Sequence, residues 1–281
     1  MILLDGKKTA EKIKNNMRNL ITALQKNNVQ PRLCVICAGN NDAVNSYMAN
    51  KRKMCEEFGI SFTCLAFPED VSETELLEAI DRCNEDDNIH GILVEMPLPL
   101  HINKRHVLNE ILPDKDVDGV TAINAGKMVL DEMQGFTPCT ALSIIKILED
   151  YNIEMTGKQC VVIGRSETVG MPTSILMLKQ NATVTICHSY TQNLKEITKQ
   201  ADILIVATGK PKFIDSSYIK PGAVVVDAGI HQDENNKLCG DVNFDDVKDI
   251  VSAITPVPGG VGPVTTVMLL MNCIRGVLYG K

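Results

Sequence analysis

Two rhythms of apolar and polar positions take turns along this chain. Over residues 8–27, Ala10, Ile13, Met17, Leu20, Ile21 and Leu24 recur every three or four positions, which predicts an amphipathic helix. Residues 32–37, apolar after Arg32, are read as a buried strand. A helix over 43–58 closed by Gly59 and a strand over 60–67 follow. Ser72-Glu-Thr-Glu75 is a capping box opening a helix to about Cys83, and the strand at 90–96 runs into Pro97-Leu-Pro99, which breaks it. Short helices surround an acidic turn between 103 and 129, and Pro138-Cys-Thr140 opens a longer helix to about Tyr151.

The second half alternates more regularly, with strands expected at 159–163, 183–187, 202–206 and 223–228 and helices at 171–180 and 193–200. Strands alternating with helices imply parallel sheets covered on both faces, so the fold class is α/β, the second half a Rossmann-type dinucleotide-binding domain. A last apolar helix over 264–279 needs covering, and the first domain is the expected place for it. The division is residues 1–138 with 263–281, and 139–262.

Composition narrows the function classes. Lys and Arg number 28 against 35 Asp and Glu, so the net charge of −7 disfavours nucleic acid or an anionic membrane as partner. No apolar run is expected to approach the length of a membrane span and the first ten residues lack a signal-peptide core, which predicts a cytoplasmic protein. The ten cysteines are scattered and are expected as free, mostly buried thiols. Cys34-Val-Ile-Cys37 lies on a strand, where residues three apart face opposite sides, and no second pair completes a zinc set. The turn at Asp114–Gly119 begins like a calcium loop, but its twelfth position is Ala125 where a bidentate glutamate is required. No metal is expected.

The candidate chemistry gathers on a few positions. Gly164 ends a strand and Gly170 precedes a helix start, an arrangement that offers backbone N–H groups and a positive dipole end to a phosphate. The six-residue spacing is not G-x-G-x-x-G, and an ordinary strand–turn–helix reads the same way. Arg165 and Ser166 beside the turn favour phosphate. The next strand ends Cys187-His-Ser189 with no acid for a ribose 2′-hydroxyl, which points to NADP over NAD. Tyr47 and Lys51 share a helix face and suit a flat heteroaromatic ligand with a proton to move, although the local sequence alone favours a solvated lysine packed along a core tyrosine. Glu95 ends a buried strand and needs a partner, for which Lys51 is a candidate. Asp118 suits an amino-substituted ring or simple turn chemistry.

Seven segments, Tyr47-x-x-x-Lys51, Val94-Glu-Met-Pro-Leu-Pro99, Asp114-Lys-Asp-Val-Asp-Gly119, Pro138-Cys-Thr140, Gly164-Arg-Ser-x-x-Val-Gly170, Thr183-Val-Thr-x-Cys-His-Ser189 and Thr255-Pro-Val-Pro-Gly-Gly-Val-Gly-Pro263, stand in order along the chain. Together they resemble the methylenetetrahydrofolate dehydrogenase/methenyltetrahydrofolate cyclohydrolase family from end to end. The resemblance implies two α/β domains around a cleft, a homodimer, and two activities: NADP-dependent oxidation of 5,10-methylenetetrahydrofolate, and hydrolysis of the methenyl product to 10-formyltetrahydrofolate. It implies that Tyr47 stacks on the folate, Lys51 is the acid/base group, Asp118 bonds the pterin edge, and Glu95, Met96, Pro258 and Gly259 line that pocket. Thr140, Gly164, Arg165, Ser166, Ser189, Ala207, Ile230 and Thr265 are implied to hold NADP.

The chain departs from the family at four places. Glu95 stands where glutamine is usual, Val44 where serine is frequent, Ala141 where proline is common, and Tyr190 where a basic residue is usual. The first two bear on hydrolysis: a carboxylate beside a lysine favours its ammonium form, which cannot accept a proton. A weakened hydrolase is therefore expected. The alternatives are a dehydrogenase without hydrolase activity and a folate- or nucleotide-binding protein without catalysis.

Overall fold

The elements follow from the two rhythms. In chain order they are β1 (Ile2–Leu3), α1 (Gly6–Lys26), β2 (Arg32–Ala38), α2 (Asp42–Glu57), β3 (Ser61–Phe67), α3 (Glu73–Glu85), β4 (Gly91–Val94), α4 (Lys104–Asn109), α5 (Ala122–Leu130), α6 (Cys139–Asp150), β5 (Gln159–Ile163), α7 (Gly170–Lys179), β6 (Thr183–Cys187), α8 (Leu194–Thr198), β7 (Ile203–Val206), β8 (Val224–Asp227), β9 (His231–Gln232), β10 (Leu238–Cys239), α9 (Phe244–Val247), β11 (Ala253–Ile254) and α10 (Val261–Tyr279). The computed structural model describes residues 1–39, 42–132, 135–234 and 236–279; the side chains of 42–47 and 279, Val44 and Tyr47 among them, lie outside the described residues.

Two compact units divide the chain: Ile13–Thr137 with Thr266–Lys281, and Met1–Lys12 with Pro138–Thr265. The expected division differs from this at the N-terminus. Leu4 N–H donates to Ile254 O at 2.8 Å and β1 pairs in parallel with β11, so the first residues join the second sheet. Thr9 and Lys12 extend that attachment through Asp150, at 2.9 and 2.7 Å. A two-residue strand carries too little periodicity to be seen in sequence.

In the unit containing Lys51, β3, β2 and β4 form a parallel sheet in that order. One face buries Cys34, Ile36, Ile92 and Val94 against Leu76, Ile80 and Cys83 of α3 and Val107 and Leu108 of α4. The alternate residues Leu33, Val35 and Cys37 point the other way and are buried too. Cys34 therefore meets Cys83, with sulfurs 3.4 Å apart, and Cys37 meets Cys64, at 3.8 Å, which makes the C-x-x-C a core feature. The capping box at Ser72 forms as its spacing predicts: Ser72 Oγ accepts from Glu75 N at 3.2 Å and Ser72 N donates to Glu75 Oε2 at 3.0 Å.

α10 corrects one expectation. Val261–Leu278 is long and apolar enough to cross a membrane by length and composition. Its Leu269, Leu270, Cys273, Ile274 and Val277 are instead buried in protein, so its apolarity is that of a core helix. Asn272, fully buried on the same helix, donates from Nδ2 to Val117 O at 2.9 Å.

The other unit is built on a six-stranded parallel sheet ordered β1-β11-β8-β7-β5-β6. β5 leads through α7 to β6 on one side, whereas β7 returns to the other side of β5. The strand order thus reverses at β5, the point where doubly wound sheets bind ligands beyond their carboxyl ends. Val161, Ile163, Leu204, Val206, Val225 and Ile254 fill the core of one face.

Candidate active site

Lys51 lies on α2, one turn past Tyr47, and its Nζ stands 2.6 Å from Glu95 Oε2. Glu95 follows β4 directly, its N–H held by Ile36 O at 2.8 Å, so the sheet aims the carboxylate. Both side chains are mostly covered, at 12% and 18% exposure, which makes this ion pair tighter and less screened than a surface pair. The carboxylate that sequence left without a partner thus has the lysine that was its candidate. Cys37, which the sequence marks only as half of a C-x-x-C, shares this electrostatic environment. Burial pushes its thiol up to about 11, with Glu95 adding to the rise and Lys51 opposing it. A cavity of about 290 Å³ opens beside Lys51, lined also by Asn50, Lys53, Met54, Glu57 and Thr266. Met96 is exposed where the chain leaves the sheet, and its bond to Pro97 is cis.

Asp118 is half-buried in a turn whose anchor is Asp116, a residue the sequence did not distinguish from its neighbours. Asp116 is fully buried and bridges to Ile92 beside β4. Its carboxylate accepts from Val120 N at 3.1 Å, Thr121 N at 2.9 Å and Asn124 Nδ2 at 2.8 Å. Together with Asn272 on Val117 O, these bonds fix the segment that carries Asp118. The alternation of acids in the motif was the available signal: one acid turns in, the next stays out.

In the second unit the expected nucleotide residues cluster at the carboxyl ends of the strands. Gly164 follows β5 at φ +131°, and a side chain there would strike the carbonyl of Ala207, which follows β7. Gly170 packs as closely on Gly164 O, so the turn leaves backbone room for a ligand that no larger residue would. Ser166 Oγ accepts from Val169 N and Gly170 N at 3.2 and 3.3 Å, tying the turn to the start of α7. Arg165 is exposed, its guanidinium 5.8 Å from the Tyr190 ring centroid in a cation–π contact. Ser189 and Ile230 are exposed after β6 and β8. His188 Nδ1 accepts from Tyr190 N at 3.2 Å.

Thr140 lies in the first turn of α6 and Thr265 one turn into α10, the latter hydroxyl donating back to Val261 O at 3.2 Å. Gly259 is buried, its carbonyl accepting from Gly6 N at 2.9 Å, and Pro258 before it is exposed after a cis bond. Pro258 and Gly259 belong to this unit, whereas Lys51, Glu95, Met96 and Asp118 belong to the other. A guanidinium and a hydroxyl around a tight glycine turn, with no acid at the end of β6, fit a phosphorylated nucleotide. A larger cavity, about 340 Å³, lies at the opposite ends of the strands among Lys158, Asp202, Lys220 and Ser252. The carboxyl-end rule and the glycine turn make that end of the sheet irrelevant to the nucleotide.

Asp227, the last residue of β8, was also missed. Its buried carboxylate accepts from Val242 N at 2.8 Å, Gly229 N at 2.9 Å and Asp241 N at 3.0 Å. Burial nevertheless pushes it up to about 6, the three bonds opposing and Asp241 reinforcing the rise. Among the described residues no group of three or more His, Cys, Asp or Glu is arranged to hold a metal.

The site and the sheet define a class: an α/β protein pairing a dinucleotide-binding unit with one that presents a lysine–carboxylate pair. Known proteins sharpen this. Residues 4–118 match the tetrahydrofolate dehydrogenase/cyclohydrolase catalytic domain, and residues 138–279 the NAD(P)-binding domain of the same family. The chain is 50% identical over 273 residues to the "Bifunctional protein FolD" of Agathobacter rectalis, covering 97% of this chain and 98% of the relative. It superposes on the crystal structure of the bifunctional FolD methylenetetrahydrofolate dehydrogenase/cyclohydrolase from Campylobacter jejuni with a TM-score of 0.97, at 43% identity over 99% of both chains. A Trypanosoma brucei methylenetetrahydrofolate dehydrogenase-cyclohydrolase, solved with NADP cofactor and inhibitor, gives 0.93 at 33% identity, covering 99% of this chain and 97% of that one. The chain belongs to the tetrahydrofolate dehydrogenase/cyclohydrolase family.

Proposed function

We propose that the protein oxidises 5,10-methylenetetrahydrofolate with NADP⁺ and hydrolyses the resulting 5,10-methenyl cation to 10-formyltetrahydrofolate. The observation that carries this reading is the covered Lys51–Glu95 pair at the end of the sheet in the unit matched to the catalytic domain. Bound NADP⁺ supplies a hydride acceptor, and Gly164, Arg165, Ser166, Ser189, Ala207, Ile230, Thr140 and Thr265 are the residues that would hold it. Oxidation removes a hydride from the bridging methylene carbon and needs no proton acceptor, so the chain's task there is positioning. Asp118 accepts from the pterin edge, with Tyr47, Met96, Pro258 and Gly259 as further folate contacts.

Hydrolysis makes a different demand. Water adds to the methenyl carbon, one of its protons must leave, and a carbon–nitrogen bond opens. Lys51 Nζ is the group assigned to take that proton, and its ion pair with Glu95 has to loosen before a lone pair is exposed. Hydrolysis is therefore the activity that this ion pair restrains. A homodimer in the cytoplasm completes the reading. The family resemblance supports the homodimer, and β6, at the edge of the sheet among the described residues, with Ile186 and α7's Leu178 exposed, offers a surface for pairing.

Spectrophotometric assays with methylenetetrahydrofolate and either nucleotide, and with the methenyl compound alone, test the reading. NADP-dependent oxidation together with nucleotide-free hydrolysis is the expected result. Absence of oxidation overturns it.

A further inference from the structure

Two buried carboxylates tie together the loops that leave β7 and β8, and neither lies in the segments behind the family resemblance. Asp241, two residues past β10, is fully buried. Its Oδ2 accepts from Thr208 N at 2.6 Å and Gly209 N at 3.1 Å, and its Oδ1 stands 2.7 Å from His231 Nε2. Its own N–H is held by Asp227, which also holds Gly229 N. Ile230, half exposed, is consequently fixed from both sides: Gly229 on Asp227 and His231 on Asp241. Thr208 and Gly209 continue from Ala207, the residue whose carbonyl abuts Gly164.

We propose that His231 and Asp241 are positioning residues of the nucleotide site, setting Ile230 and the 207–209 loop against the Gly164 turn and so governing nucleotide affinity. The proposal rests on reading this unit as the NADP site. The β9–β10 hairpin has two residues in each strand and two registered pairs, so its own ladder gives it little rigidity. A buried carboxylate that satisfies several donors supplies what the ladder lacks, because moving any partner leaves a charged acceptor unmet. The His231 side chain keeps 22% of its surface in solvent, so replacing it opens no sealed cavity.

The test compares native protein, His231→Ala and His231→Gln by calorimetric titration with NADP, by kcat and KM for oxidation, and by nucleotide-free hydrolysis. For His231→Ala the dissociation constant and KM for NADP rise about tenfold, as expected for loss of a hydrogen bond to a charged group. Its kcat at saturation and its hydrolysis stay within about twofold of native. His231→Gln, which keeps an N–H in reach of Asp241, recovers most of the affinity. An affinity change below twofold, a parallel fall in hydrolysis, or a glutamine variant no better than alanine overturns the proposal. So does native protein that fails to bind NADP. Native protein that binds NADP without oxidising the folate overturns the functional reading alone, and the affinity order of the variants then decides the positioning role.

Discussion

Lys51 Nζ and Glu95 Oε2 are 2.6 Å apart, and the pair is covered on most sides. The family's usual amide at this place would orient the lysine without holding it as an ion. Glu95→Gln should therefore raise methenyl hydrolysis relative to oxidation by about tenfold, a fraction of the 10²–10⁴ a positioned base contributes. Oxidation should change little. Measuring both rates on one preparation checks this, and an unchanged ratio would show that the carboxylate does not restrain the lysine.

The Arg165 guanidinium lies over the Tyr190 ring, 5.8 Å from its centroid, a cation–π contact in place of a second cation. A cation–π contact at an exposed site is worth about 0.5–1 kcal/mol, so Tyr190→Ala should raise the KM for NADP about two- to fivefold. Tyr190→Lys should widen the preference for NADP over NAD by adding a charge for the 2′-phosphate. Steady-state constants for both nucleotides decide the point. Equal effects on NADP and NAD would remove Arg165 from 2′-phosphate recognition.

Gly164→Ala places a methyl group against Ala207 O at a backbone angle of +131° that alanine resists. The expected outcome is loss of NADP-dependent oxidation by two orders of magnitude or more, roughly, through displacement of the turn. Hydrolysis measured without nucleotide should survive. A calorimetric titration of the variant with NADP separates this from general unfolding.

Asp227 titrates in the folded protein at about 6, raised by burial from the ordinary carboxylate range. The folded state therefore holds this proton more tightly than the unfolded chain does. Its contribution to stability is complete below pH 4 or so and is lost as pH rises through about 6. Asp227→Asn should be less stable overall, because an amide cannot accept all three backbone N–H groups. Its urea midpoint should lack the decline between about pH 4 and 6 that this residue imposes on the native protein. Parallel profiles for the two proteins would place the titration elsewhere.

The order of strands and helices was legible because it rests on periodicities sustained over many residues, as in α1, β2 and β5. The glycine turn at 164 and the Lys51–Glu95 pair were legible as residue types in an expected local context. Strands of two residues, β1, β9, β10 and β11, were not, since they are made by hydrogen bonds to distant segments. The same reason hid Asp116, Asp227 and Asp241. In sequence each is one more acid in a turn or at a strand end, and only burial among backbone N–H groups marks it out.

The unit that carries Lys51 is discontinuous: its core is begun by residues 13–137 and closed by the apolar side of α10, after an entire second unit has been threaded between. On the ribosome α10 emerges after the whole intervening segment, so Leu269, Leu270, Ile274 and Val277 reach their places only once that segment has been made. Until then the hydrophobic ground they occupy is bare, and Val117 O lacks the Asn272 amide that steadies its loop. Translation that stops short of α10 thus yields a product with an open core and a loosened Asp118 segment, prone to clumping even where its Rossmann half has set.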